Sequence, residues 1–254
     1  MKIAAVQHDI VWEKPEENFA LLSPLIKEAA HGGARLVVLS ELFSTGFSMN
    51  TDRICEPLDG PSTSFLIEHA MDLGVWVCGS APILSSQSDL PHNCLVLVNP
   101  DGDVQRYEKT HLFNFAGEDQ HYAAGSSPLT VNIEGARCTF FICFDLRFAP
   151  DFWDLAPTTD VFVVVANWPE VRRRHWKSLL KARSIENQAY VLGVNRVGEG
   201  DGLSYSGDSR LYDPLGETLG GIEAHQVQIL FGDIEPSAVA EVRSDFPFRQ
   251  QRSL

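Results

Sequence analysis

Three short segments each place a residue able to do chemistry directly after an apolar, strand-like run. Leu36-Val37-Val38-Leu39-Ser40 leads into Glu41, Val104-Gln105-Arg106-Tyr107-Glu108 into Lys109, and Thr139-Phe140-Phe141-Ile142 into Cys143. In α/β sheets the strand ends along one edge face a common crevice, and ligands bind there. A thiol, a carboxylate and an ammonium delivered to one crevice make a nucleophile, a base and a cation. An ordinary thiol is only slightly ionised at neutral pH, so it needs both helpers. In this reading Glu41 takes the proton and Lys109 stabilises the thiolate. After attack on an amide carbonyl, Lys109 and the backbone N–H of Phe144 hold the oxyanion. Glu41 then protonates the departing amine and activates water. The run Cys143-Phe144-Asp145-Leu146-Arg147-Phe148 reads as a strand-to-helix turn, which exposes a nucleophile and sets an N–H beside it.

Each residue also has a purely structural reading. A cysteine in an apolar strand serves as a small core residue. A glutamate after a strand caps the next helix, and a lone lysine is solvated. Cys78, Cys94 and Cys138 sit in similar apolar runs without an acidic follower and read as core. A Ser–His–Asp arrangement lacks a G-x-S-x-G elbow. His111, His121 and His175 are scattered and lack H-E-x-x-H spacing, so no metal and no cofactor is expected.

The elements that must position these residues alternate between short β-rich runs and longer helical patterns. Strands are expected at 3–6, 36–39, 75–79, 94–98, 104–109, 137–143, 161–166, 190–194 and 207–212. Several are apolar almost throughout, as in strands covered on both faces. Helices are expected at 15–30, 61–73 and 173–188, each with apolar residues at helical spacing. The inward stripe of the third runs from Trp176, Leu179 and Leu180 into Arg183 and Asn187, which points to a buried polar network or a nearby site. Asn99-Pro100-Asp101-Gly102 and Asp213-Pro214-Leu215-Gly216 signal turns between antiparallel strands, so the sheet is expected to be mixed. No repeat or linker stands out, and a single domain over 1–254, built as a layered α/β sandwich, is the simplest organisation.

Composition narrows the function. The 254 residues are 44% hydrophobic, which is enough for a sizeable core. A net charge of −14 disfavours nucleic acid as a partner. The cysteine count is five, with irregular spacing and no CxxC, which argues against a disulfide framework or structural zinc and fits a reducing, cytoplasmic setting. The N-terminal apolar run is too short for a signal peptide, and no stretch reaches the roughly 18 apolar residues of a membrane span.

Taken in order, these segments resemble the nitrilase superfamily of carbon–nitrogen hydrolases. The matching pieces are Ser40-Glu41-Leu42-Phe43, Tyr107-Glu108-Lys109-Thr110-His111-Leu112-Phe113 and Ile142-Cys143-Phe144-Asp145-Leu146-Arg147-Phe148. They are joined by Ala166-Asn167-Trp168-Pro169, Arg183-Ser184-Ile185-Glu186-Asn187-Gln188 and Gly207-Asp208-Ser209-Arg210. The resemblance spans nearly the whole chain. It implies a four-layer α-β-β-α sandwich, a Glu41–Lys109–Cys143 triad, a supporting glutamate best matched by Glu118, and a homodimer. Phe144 stands where the family often has tyrosine.

Within the superfamily the chain looks most like the omega-amidases, which hydrolyse the terminal amide of 2-oxoglutaramate and 2-oxosuccinamate. Such substrates carry a carboxylate remote from the amide, and a pocket for it wants an arginine. Arg172 is the first candidate and Arg147 the second. Phe47, Phe113 and Trp168 are candidate pocket walls, each equally able to be core, and Arg183 with Glu186 reads as a structural ion pair. The competing readings are another amidase of the superfamily, acting on a carbamoyl, deaminated-peptide or aliphatic amide; a nitrile hydrolase; an acyltransferase; and a catalytically silent small-molecule binder.

Overall fold

The structure is a computed structural model and describes residues 1–85 and 88–248. Two six-stranded mixed sheets carry the fold. The first contains β1 (Lys2–Gln7), β2 (Leu36–Val38), β3 (Trp76–Ile83), β4 (His92–Val98) and β5 (Val104–Glu108). The second contains β6 (Leu129–Ile133), β7 (Ala136–Ile142), β8 (Val161–Ala166) and β9 (Tyr190–Asn195). A hairpin of β10 (Val197–Gly200) and β11 (Leu203–Ser206) stands apart. β12 (Arg210–Tyr212) and β13 (Thr218–Gly221) complete the second sheet, and β14 (Gln228–Asp233) returns to pair with β1.

Helices lie outside both sheets. α1 (Pro15–His31), a short α2 (Thr51–Ile54) and α3 (Pro61–Leu73) belong to the first half of the chain. α4 (Glu118–His121) is a single turn, while α5 (Ala149–Leu155) and α6 (Arg173–Asn187) belong to the second half, and α7 (Pro236–Asp245) ends the described chain. The alternation of β1 shows how one strand serves two layers. Ala4 and Val6 pack with Leu22 and Ile26 of α1 and Leu66 and Ala70 of α3. Ile3 and Ala5 face the other way, into a core shared with Phe140, Ile142, Val163 and Val165 of the second sheet. On the far side of that sheet lie Phe152 of α5 and Trp176 and Leu180 of α6. The layers are therefore helix, sheet, sheet, helix, the expected α-β-β-α sandwich. Gly193 in β9 permits close helix packing, since a Cβ there would lie 2.4 Å from a Leu180 methyl.

The connectivity brings the reactive strand ends together. β1, β2 and β3 are parallel, and the antiparallel steps from β3 to β4 to β5 restore the direction of β2 in β5. The C-terminal ends of β2 and β5, followed by Glu41 and Lys109, thus lie on one edge.

Several boundaries differ from expectation for physical reasons. The strand expected at 207–212 starts only at Arg210, because Gly207 and Asp208 take left-handed backbone with φ of +74° and +61°. The strand expected at 75–79 runs instead from Trp76 to Ile83. Gln188 does not extend α6 but caps it in left-handed conformation, with φ of +48°. Five strands and the helices α2, α4 and α7 were not foreseen. β6, β13 and β14 are partly exposed, and their mix of polar residues and glycine hides the strand period. Among the described residues no helix is long and apolar enough to cross a membrane.

Candidate active site

Glu41 follows β2 in a turn that hangs on the neighbouring strand. Leu42 N–H donates to Ser80 Oγ at 2.8 Å, and Phe43 N–H donates to the Ser80 carbonyl at 3.1 Å. Gly79 leaves room for the Phe43 ring, which would lie 2.7 Å from any Cβ at that position. Lys109 is fixed at the end of β5, where its N–H donates to the Asn93 carbonyl at 3.0 Å. Cys143 opens the turn after β7 with φ of +47°, a left-handed conformation that a residue with a side chain rarely adopts.

The carboxylate of Asp145 holds that turn. It accepts from Ile142 N–H at 2.9 Å, Tyr107 Oη at 2.7 Å and His111 N–H at 2.9 Å. One carboxylate therefore ties the residue before Cys143 to the residues on either side of Lys109. Burial pushes the Asp145 carboxyl up to about 6, against those hydrogen bonds and the Lys109 charge.

The charged centre is dry. Glu41, Lys109 and Glu118 are all fully buried. Lys109 Nζ donates to Glu41 Oε1 at 2.9 Å and to both oxygens of Glu118 at 2.9 Å. Other donors also reach the two carboxylates. Glu41 accepts from Asn93 Nδ2 at 2.8 Å and Asn167 N–H at 2.7 Å, and Glu118 accepts from Phe113 N–H at 2.6 Å. Burial alone favours the neutral amine, but Glu118 and Glu41 outweigh it and hold Lys109 well above its ordinary value.

Cys143 differs from the sequence reading in one respect. Lys109 does pull its thiol down, but burial and the Glu41 charge push harder, and the thiol sits well above its ordinary value. This surrounding favours the protonated thiol over a preformed thiolate. Glu41 and Glu118 share the single Lys109 ammonium, which leaves less of its charge to hold a further anion on Sγ.

A pocket opens directly over Cys143, and Lys109 lines it as well. Phe47, Phe113, Phe144, Arg147, Trp168 and Arg172 all line it. Glu41 and Glu118 stand behind this wall. The Arg147 guanidinium lies 4.9 Å from the Trp168 ring centroid, and that of Arg172 lies 5.4 Å from the Phe113 ring centroid. Burial and the adjacent Arg172 charge pull Arg147 below its ordinary value. Among the described residues neither arginine pairs with a carboxylate. Arg147 makes only a 3.3 Å contact to His175 Nδ1.

Sequence reasoning missed other parts of the site. Asn93 and Asn167 clamp Glu41, and their signal was a polar residue in or just after a fully buried strand. Asp145 was quoted within its motif but given no role. Asp201, Leu203 and Tyr205 reach the pocket from the β10–β11 hairpin, which carries no chemistry-bearing pattern. Arg183, expected as half of a structural pair, does meet Glu186 at 2.7 Å and also donates to the Leu146 carbonyl at 2.8 Å, bracing the turn after Cys143 from α6. Among the described residues no group of three or more His, Cys, Asp or Glu side chains is placed to hold a metal.

Comparison with known proteins fits this arrangement. Residues 2–244 match the carbon-nitrogen hydrolase family profile. The omega-amidase YafV of Escherichia coli K12 is 35% identical over 97% of this chain and 94% of its own length. The 2-oxoglutaramate amidase of Bacillus subtilis is 34% identical over 96% of this chain and 95% of its own. A CN-hydrolase superfamily protein of Xanthomonas campestris, solved with an arsenic adduct in its active site, superposes with a TM-score of 0.92. It is 38% identical and covers 99% of this chain and 96% of its own. With its sandwich fold and with Glu41, Lys109 and Cys143 at one crevice, the chain belongs to the carbon–nitrogen hydrolase family.

Proposed function

We propose that this protein is an omega-amidase that hydrolyses the terminal amide of 2-oxoglutaramate- or 2-oxosuccinamate-type substrates. The observation that carries the reading is the pair Arg147 and Arg172, which line the pocket over Cys143 without a carboxylate partner among the described residues. Two guanidinium groups beside a nucleophile favour a substrate whose far end is a carboxylate. The likeness to YafV and to the Bacillus subtilis amidase supports the same class.

In this mechanism Glu41 takes the Cys143 proton as Sγ attacks the amide carbon. The oxyanion is held by Lys109 and the Phe144 N–H, which act most strongly in a dry site. Glu41 returns the proton to nitrogen, the C–N bond breaks, and ammonia leaves a thioester on Sγ. Water, deprotonated by Glu41, then adds to the thioester and releases the dicarboxylate and the thiol. Glu118 keeps Lys109 charged and aimed. Phe47, Phe113 and Trp168 shape the apolar walls, with Arg172 and Arg147 as the carboxylate clamp.

The reading takes residues 1–254 as one hydrolase domain, acting in the cytoplasm as a homodimer on a small-molecule amide. The net charge of −14 supports the absence of a nucleic-acid partner. The test is selectivity: kcat/KM for 2-oxoglutaramate against an uncharged amide of similar length. A strong preference for the oxo acid supports the reading. A preference for the uncharged amide replaces it with that of a general aliphatic amidase of the same family.

A further inference from the structure

We infer that the hydroxyl of Tyr205 is the donor that recognises the 2-oxo oxygen of the substrate, and so sets the preference for oxo-acid amides. The inference rests on the omega-amidase reading and deepens it.

Four neutral side-chain donors line the pocket: Cys143, Asn167, Trp168 and Tyr205. Cys143 is the nucleophile. Asn167 Nδ2 already donates one N–H to the Glu41 carbonyl. Trp168 Nε1 donates to the Arg172 carbonyl at 2.9 Å. Of the four, only the Tyr205 hydroxyl has no hydrogen-bond partner among the described residues, although only 2% of the residue is exposed. A buried phenol normally finds a partner for its hydroxyl. Here Tyr205 is part of the same pocket wall as Cys143 and Lys109.

The substrate's polar groups divide the remaining donors. The amide oxygen goes to Lys109 and the Phe144 N–H. The remote carboxylate goes to Arg147 and Arg172. The 2-oxo oxygen is a neutral acceptor that is left over, and Tyr205 is the neutral donor that is left over.

Tyr205 is also pre-positioned. It sits opposite Gly198 in the β10–β11 ladder. Its ring lies over the Arg196 guanidinium, whose carbon is 4.6 Å from the ring centroid. Arg196 is fully buried and is fixed by Asp9 at 2.9 Å, the Ile10 carbonyl at 3.1 Å and the Glu199 carbonyl at 2.9 Å. A ring clamped in this way presents its hydroxyl without a further loss of rotamer freedom on binding. Burial, offset in part by Arg196, pushes the phenol up to about 12, so it remains a donor at working pH.

The test compares 2-oxoglutaramate with glutaramate, which has the same length and carboxylate but a methylene in place of the ketone. Tyr205→Phe keeps the ring over Arg196 and deletes only the hydroxyl. The wild type is expected to prefer 2-oxoglutaramate, and the ratio of the two kcat/KM values is expected to fall about 10- to 100-fold in Tyr205→Phe. An unchanged ratio in the variant, whether or not overall turnover drops, would overturn the inference and leave the omega-amidase reading intact. A wild type that hydrolyses glutaramate but not 2-oxoglutaramate would overturn both.

Discussion

Lys109 Nζ lies 2.9 Å from Glu41 Oε1 and 2.9 Å from each oxygen of Glu118, with all three side chains fully buried. This geometry explains two properties at once. Glu118 and Glu41 hold the lysine above its ordinary value against burial, while burial and the Glu41 charge raise the Cys143 thiol. In the proposed mechanism, proton transfer to Glu41 therefore accompanies attack rather than preceding it.

Removing the cation tests its role. Lys109→Met keeps much of the stem and leaves two carboxylates facing each other without a counter-charge. Activity is expected to fall on the order of 10²-fold or more, through lost oxyanion stabilisation. Because the same change strands buried charge, folding should be checked by circular dichroism. Near-normal turnover in folded protein would contradict the assigned role.

Glu118→Gln keeps the shape of the side chain while deleting one of the two charges that hold Lys109. The account predicts a fall in kcat of about 10- to 100-fold with little change in KM, because the residue acts on the cation and does not touch the substrate. A change confined to KM would place Glu118 in the binding pocket instead.

The elevated thiol gives a pH signature. The rate at which iodoacetamide inactivates the enzyme should keep rising through pH 9, since the attacking thiolate is scarce below that. In Glu41→Gln the neighbouring negative charge is gone, so the rise should move to lower pH. A wild-type rate already at its plateau near neutrality would show a preformed thiolate and contradict the account.

The arginine clamp predicts a split between substrates. Arg172→Ala should raise KM for 2-oxoglutaramate and lower its kcat/KM relative to an uncharged amide by about tenfold or more. Arg147→Ala should act in the same direction. If either variant changes both substrates equally, that arginine does not bind the carboxylate.

Asp160 links stability to pH. Arg137 donates to it from Nη2 at 2.6 Å, Nε at 2.9 Å and the backbone N–H at 2.9 Å. These contacts overcome the burial of Asp160 and hold its carboxyl below the ordinary value. A depressed carboxylate contributes stability that is present above the unfolded value and is lost as pH falls through the folded one. Asp160→Asn should therefore lower the urea midpoint at pH 7, and the gap to wild type should narrow at about pH 3. A gap of equal size at both would show that charge plays no part.

How much of this was legible in the sequence depended on burial. Glu41, Lys109 and Cys143 stood out because each follows a strand apolar enough to be recognised without its neighbours. Their convergence followed from a general property of sheet edges. The pocket arginines were legible as candidates only, since nothing in Arg172-Arg173-Arg174 says which of the three turns inward. In the fold Arg173 pairs with Asp208 at 2.8 Å and Arg172 lines the pocket. The hydrogen bonds of Asn93, Asn167 and Asp145 were not legible, because they depend on partners as many as 126 positions away in sequence. The sequence names Glu41 and Glu118 beside the thiol but not their complete burial, and it is burial that pushes the Cys143 thiol up.

The most direct test of the central claim is ammonia release from 2-oxoglutaramate by the wild-type protein, with Cys143→Ala as the control. The account predicts clear turnover by the wild type and none by folded Cys143→Ala. Turnover that survives in the variant would contradict Cys143 as the nucleophile, and a folded wild type that releases no ammonia would contradict the omega-amidase assignment.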